Sequence, residues 1–160
     1  MKENSNLIKT LDELGEDLVK TLVKNLLKAD KKATGTLIKS IDYKLVEKAN
    51  GLMVQLLAAD YLTNVDEGRK AGSKQPPLKS LDRWVVARKI APRDKKGKFI
   101  SRKSIKFLIA RSIAKRGIKP TNVIQKTIDE VYSKKKTLIE KAAIEDINAL
   151  IDKIIINDKK

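Results

Sequence analysis

The sequence predicts an α+β, helix-rich fold: a long N-terminal helix and C-terminal helices packed on a small antiparallel β-sheet. Three observations predict it. Leucines recur every three or four residues from Leu7 to Leu26, the period of one helix face. Residues 37–58 switch to alternating apolar runs around an Asn50-Gly51 turn signal. After Pro77 the helical period returns and continues, broken at glycine and proline, toward the C-terminus.

The first helix is expected over residues 7–29. Leu7, Leu11, Leu14, Leu18, Leu22 and Leu26 form its stripe, widened by Ile8, Val19, Val23 and Leu27. Asp12, Glu13, Glu16 and Asp17 come early and Lys20, Lys24 and Lys28 late, the order that suits the helix dipole. Gly15 marks a weak point where a bend is expected. Ala33-Thr34-Gly35-Thr36 is a turn-like break. Leu37, Ile41, Tyr43 and Leu45 then lie in phase for a strand reaching Val46, and Leu52–Ala58 supplies a partner strand. A helix through 52–62 competes for that second run, because Leu and Ala are good helix formers.

Asp60 to Gly68 reads as a short helix or turn, followed by a loop from Arg69 to Pro77. Pro77 is placed to open the next helix as its first residue, with Leu78, Leu81, Trp84, Val85 and Ile90 as the apolar face. Trp84 is expected in the core rather than as a base-stacking platform. Residues 92–97 form a charged loop, expected to be mobile. Ser101 or Ser104 caps a helix to about 116, which is expected to bury Ile105, Leu108, Ile109 and Ile113. Gly117 ends it and Pro120 prevents continuation. Thr121 caps a last helical region in which Ile124, Ile128, Val131, Leu138, Ala142, Ile147, Ile151 and Ile154 keep helical spacing. Lys134-Lys135-Lys136 is the expected point of loosening. A helix of up to 35 residues exceeds what a small domain usually holds, so part of it is expected to pack on a neighbouring subunit.

With 160 residues, the chain suits one domain and at most an appendage. The division expected is an α+β domain over 1–120, containing a basic segment at 66–120, and a C-terminal helical extension over 121–160. The absence of cysteine and histidine excludes disulfides, thiol nucleophiles and imidazole bases or ligands. The Gly residues form no phosphate-binding fingerprint. Asp66-Glu67 reads as a cap or local ion pair, being too few ligands for a cation site. The N-terminus lacks a signal-peptide pattern, and no stretch approaches the ~20 apolar residues of a membrane span. The expectation is a non-enzymatic protein used inside a cell or a particle assembled there, with no cofactor, no metal and no membrane partner.

Charge is the strongest functional signal. Residues 1–65 carry 10 basic and 9 acidic side chains, residues 66–120 carry 18 and 4, and residues 121–160 carry 8 and 7. The middle third therefore holds +14 of the net +16. Such a block repels itself and suits a polyanion or an acidic protein surface; a solvated basic face is the simpler alternative. Arg69, Lys70, Lys74, Arg93, Lys95, Lys96, Lys98, Arg102, Lys103 and Lys106 are the candidate partner- or DNA-contacting residues. Lysine and arginine neutralise phosphates with little sequence preference. The few aromatics among them argue against single-strand stacking, leaving duplex backbone or acidic protein.

The order of signals resembles the tail-completion or neck (head-to-tail joining) proteins of tailed bacteriophages. Thr34, Gly35, Leu37, Ser40 and Ile41 match a Thr-Gly-x-Leu-x-x-Ser-Ile stretch after the first helix. Tyr61, Glu67 and Gly68 match the tyrosine, acidic residue and glycine that follow the strand pair. Val65 to Gly72, Pro76-Pro77, Trp84 and Leu108 to Gly117 look like the versions in large podovirus-like phages of gut bacteria. The resemblance covers about residues 7–120; the region after 121 departs from the shorter family pattern. It implies a non-enzymatic virion protein, met in the host cytoplasm during assembly. It also implies a homo-oligomeric ring, twelvefold in preference to sixfold. Its implied neighbours are a portal or adaptor protein and other neck or tail proteins, with genomic DNA passing through the ring in nonspecific contact. The competing reading is a sequence-nonspecific double-stranded DNA-binding protein, with Gly117–Pro120 as the turn of a helix-turn-helix. A nucleic-acid enzyme would need clustered carboxylates, and the basic third has four acidic residues.

Overall fold

The computed structural model describes residues 5–30, 35–49, 51–93 and 96–157. It is 61% helical with a two-stranded antiparallel sheet, so the α+β, helix-rich class is the one observed. The chain forms two compact units that are not consecutive in sequence. The first gathers Met1–Asn25, Ile41–Leu57 and Val123–Lys160; the second gathers Leu26–Ser40 and Ala58–Asn122. The C-terminal helix thus belongs with the N-terminal helix and the hairpin.

In the first unit, α1 (Asn6–Lys28, its last turn counted with the second unit) lies antiparallel to α6 (Val123–Asn157). Three polar contacts set the register. The Ser5 hydroxyl donates to Asp146, and the Asn6 and Leu7 amides donate to the same carboxylate at 3.0 and 2.9 Å. Lys135 Nζ meets Glu13 at 3.0 Å and Asp17 at 3.3 Å. Asn25 Nδ2 donates to the buried Thr127 hydroxyl at 3.0 Å. Ser5 also accepts from the Ile8 amide. A carboxylate from one helix therefore helps satisfy the free N–H groups that open another, where the helix dipole favours an anion. Helix α6 runs unbroken through Lys134-Lys135-Lys136; the expected loosening is absent, since Lys135 is neutralised by α1.

Strands β1 (Asp42–Lys48) and β2 (Gly51–Leu57) pair with Tyr43 opposite Leu56 and Leu45 opposite Val54. These residues share one face, as the two-residue period requires. The competing helix through 52–62 does not form. The strand begins at Asp42, later than expected, because residues Thr36–Lys39 make a helical turn, α2, entered through Gly35 at φ 81°. The Tyr43 ring lies against Gly15 of α1, so closely that a Cβ at Gly15 would collide with it. Its hydroxyl donates to Asp12 at 2.7 Å. That bond, with burial second, pushes the phenol up to about 12. Gly15 is thus a seat for an aromatic ring, and α1 continues through it.

In the second unit, α3 (Tyr61–Glu67), α4 (Asp82–Ala87) and α5 (Arg102–Arg116) join α2. Two glycines fasten them. Arg69 and Ile118 exchange backbone hydrogen bonds of 2.8 Å in each direction. Gly68 packs on the Ile118 carbonyl and Gly117 on the Arg69 carbonyl, both at positive φ and both without room for a Cβ. The Gly72 amide then bonds Ala114, and the Thr121 and Asn122 amides bond Asp66. Helix α5 opens at Ser101, whose hydroxyl accepts from the Ser104 amide, and closes at Gly117. Two helix expectations need correction. Pro77 precedes a turn, and α4 starts only at Asp82. In α5, Ile105 and Ala110 are buried while Leu108 is 53% exposed, because Leu108 lies about 130° round the helix from the centre of the face that Ile105, Ile109, Ala110 and Ile113 share.

Three stability outcomes follow from these contacts. Gly15→Ala, normally stabilising within a helix by up to ~1 kcal/mol, should instead cost about 1–3 kcal/mol through overpacking. In a Tyr43→Ala background that cost should largely vanish, a coupling that chemical denaturation of the four variants measures. Gly117→Ala should cost more than about 1 kcal/mol, since alanine fits neither the φ nor the space. Asp146 is held below the usual carboxylate range by the Ser5 hydroxyl first and the Leu7 amide next. A depressed carboxylate contributes stability above its ordinary pKa and loses it as pH falls through the folded value. Asp146→Ala should therefore lower Tm at pH 7, and the difference from the parent should shrink toward pH 3.

Candidate functional site

Tertiary structure sharpens the charge asymmetry seen along the chain. The second unit holds 22 Lys and Arg against 6 Asp and Glu, a net of +16, and the first holds 14 against 14, a net of zero. The additional cations come from the segment Leu26–Ser40, which the sequence counts with the neutral N-terminal part. All of the excess charge thus sits on one compact body. At about +16 its field attracts polyanions over roughly a Debye length, ~8–10 Å at physiological salt.

The ten candidate residues all belong to that unit, but they divide by what they touch. Lys95 lies outside the described residues. Lys70, Lys74, Arg93, Lys96, Lys98, Arg102 and Lys103 are exposed. Arg69 and Lys106 are half-buried and engaged internally. The Arg69 guanidinium donates to the Lys74 carbonyl, and its Nε is enclosed. Lys106 Nζ meets the Asp82 carboxylate at 2.8 Å with its side chain 18% exposed. The hydrogen bond from Lys106 depresses the Asp82 carboxyl. Lys106 therefore ties α4 to α5, and Arg69 closes the loop that follows Gly68 on itself.

Arg93 is exposed yet also structural. Its guanidinium stacks 4.0 Å above the Phe99 ring and donates to the Gly97 carbonyl at 2.9 Å. Arg93 and Phe99 pair as an isolated bridge, and the Ile100 amide bonds Pro92. The 92–100 loop is tied at its base, and Lys96 and Lys98 are carried on it. Among the described residues, no group of three or more acidic side chains could hold a metal ion, and no helix is long and apolar enough to cross a membrane.

Two features of this unit are not legible in the sequence. Arg88 forks onto Asp30 at 2.8 and 2.9 Å and also donates to its backbone carbonyl. Asp30 sits at φ 53°, a local geometry that no spacing announces. Beside this pair lies a half-open cavity of about 900 Å³, walled by Leu37, Ile38, Trp84, Ile109 and Ile113. Trp84, Tyr61 and Ile118 are 37–41% exposed and all line it. Trp84 is therefore a cavity wall rather than a core residue. Its helical spacing with Leu81 and Val85 signalled burial but could not show that the opposing surface is missing.

Stability measurements should separate the two kinds of cation. Lys106→Ala and Arg69→Ala should each cost more than the roughly 0.5 kcal/mol expected of surface changes, and Lys70→Ala and Lys103→Ala should stay within it. Urea melts followed by circular dichroism check this. In comparisons with known proteins, no protein family, curated protein or solved structure matches this chain.

Proposed function

We propose that this chain is a non-catalytic assembly protein whose basic unit docks against a polyanion. Following the resemblance of its ordered motifs, we read it as a ring component of the phage neck, joining portal or adaptor to tail around the DNA channel. The observation that carries the polyanion part is the confinement of the whole +16 to one unit. A protein that needed charge only for solubility would spread it over both units, since self-repulsion destabilises a compact body. Repetition of such a unit around a closed ring would build a collar of positive potential without open-ended polymerisation. Lys70, Lys74, Arg102 and Lys103 are exposed, whereas Arg69 and Lys106 are half-buried and engaged within the unit, which makes the exposed four the first residues to test. The same charge distribution also favours a second reading, a free protein that binds double-stranded DNA without sequence preference.

Two experiments test this. Duplex affinity should fall steeply with salt, and replacing Lys70, Lys74, Arg102 and Lys103 with Glu should lower it more than about tenfold. It should also flatten the log–log salt slope by up to about 4, near 0.9 for each phosphate that is no longer neutralised. Electron microscopy of the purified protein and of particles, classified for rotational symmetry, tests the ring. Closed rings at a head-to-tail joint support the neck reading; single copies coating DNA, absent from particles, support the second reading. An affinity indifferent to salt and to the four reversals would defeat both.

A further inference from the structure

The C-terminal end of α6 presents an apolar face that no described part of its unit covers. Ile144, Ile147, Leu150, Ile151, Ile154 and Ile155 are 47–62% exposed. At about 100° per residue they fill one arc of about 140°. Thr127, Lys135 and Asp146, which meet α1, lie roughly 110–150° from the centre of that arc. The face is therefore not an overhang of the α1 seam. It is a second seam, and it begins where α1 coverage runs out: Asp146 already caps the first residues of α1. The eleven residues from Ile147 to Asn157 carry α6 about 16 Å beyond that cap.

The spacing names the occupant. Ile144, Ile147, Ile151 and Ile154 follow the 3-4-3 rhythm of heptad core positions. Leu150 and Ile155 occupy the flanking positions, where a two-stranded coil places charge, so the face is too wide for one partner helix. Isoleucine at both core positions favours assemblies of more than two parallel strands. The charges stand outside this arc, at Glu145, Asp146, Asp152 and Lys153. A lipid surface fits poorly, because helices that lie on membranes carry Lys and Arg along the polar side, and this side is mainly acidic.

We infer that the end of α6, from Ile144 to Ile155, is a self-association seam that joins more than two copies of this chain in a parallel helical bundle. The seam lies wholly in the neutral unit, so it needs no polyanion and stands or falls separately from the charge-based reading.

The test uses the full chain. Sedimentation equilibrium over a concentration series should give a mass of at least three times 18.0 kDa, and the variant Ile147→Glu/Ile151→Glu should sediment as a monomer. Both replaced residues are about half exposed, so helicity and melting of the monomer should be retained; circular dichroism checks that the variant is folded. The chain has no cysteine, so Ile154→Cys provides an orientation probe. A parallel bundle should oxidise readily to covalent dimers within the assembly, whereas an antiparallel pair would set the two thiols at opposite ends. A wild-type monomer at all concentrations, an assembly of only two copies, or an assembly untouched by the two glutamates would each overturn the inference. So would a wild-type monomer that binds phosphatidylserine vesicles through this face. Because DNA affinity is measured independently, a monomer that still binds duplex sinks the seam and leaves the polyanion reading standing, and an assembled chain indifferent to DNA sinks the polyanion reading and leaves the seam standing.

Discussion

The second unit must hold 22 cations together, and what resists their repulsion is a backbone crossing. Gly68 and Gly117 each bring a main chain against the carbonyl of the other segment, and Arg69 and Ile118 exchange two hydrogen bonds at the crossing. These bonds are between neutral peptide groups, so they are indifferent to the net charge around them. They fix the C-terminal ends of α3 and α5 to one another. From that point the amides of Gly72, Thr121 and Asn122 find partners. Side-chain ion pairs add to this only where geometry is close, as at Arg88 with Asp30 and Lys106 with Asp82; exposed pairs are worth at most about 1 kcal/mol. A side chain at either glycine would separate the two strands of the crossing and release the charged loop between α3 and α4.

The first unit solves a different problem. It is neutral overall, and its stability rests on two antiparallel helices and a hairpin whose tyrosine occupies the space left by Gly15. Charges are used locally, one carboxylate at the start of α1 and one lysine between Glu13 and Asp17. The apolar surface that these contacts leave over is concentrated at the free end of α6. The uncovered apolar surface and the excess positive charge are thus carried by separate units. The forces they would exert respond oppositely to salt, since apolar attraction strengthens with it while attraction to phosphate weakens.

How far the residues foretell this arrangement depends on the range of the forces involved. The long first helix, the antiparallel strand pair, the Ser101 start and the Gly117 stop of α5 were all legible, because each depends on neighbours close in sequence; the Asn50 of the expected turn lies outside the described residues, and Gly51 opens β2. Leu37 misled, since its in-phase spacing with Ile41 and Tyr43 suggested a strand, yet Gly35 at positive φ and the Ser40 hydroxyl close a helical turn there. Gly15 misled more instructively. Its low helix propensity is real, but its purpose lies 28 residues away, in the ring of Tyr43. Among the candidate cations, residue type could not distinguish Lys106 and Arg69, which brace helices and loops, from Lys70 and Lys103, which face solvent.

By itself the sequence determined the helical and strand periods, the lack of thiol and imidazole chemistry, and the existence of a strongly basic region, because these are properties of composition and local spacing. Only the tertiary structure decided which cations are spent internally and that the segment Leu26–Ser40 joins the basic unit. Only it showed that Trp84 walls a cavity and that the end of α6 is left uncovered by the described residues of its unit. The reason is that exposure depends on which surfaces meet, and the surfaces that meet here are brought together by contacts more than a hundred residues apart, such as Ser5 with Asp146 and Asn25 with Thr127.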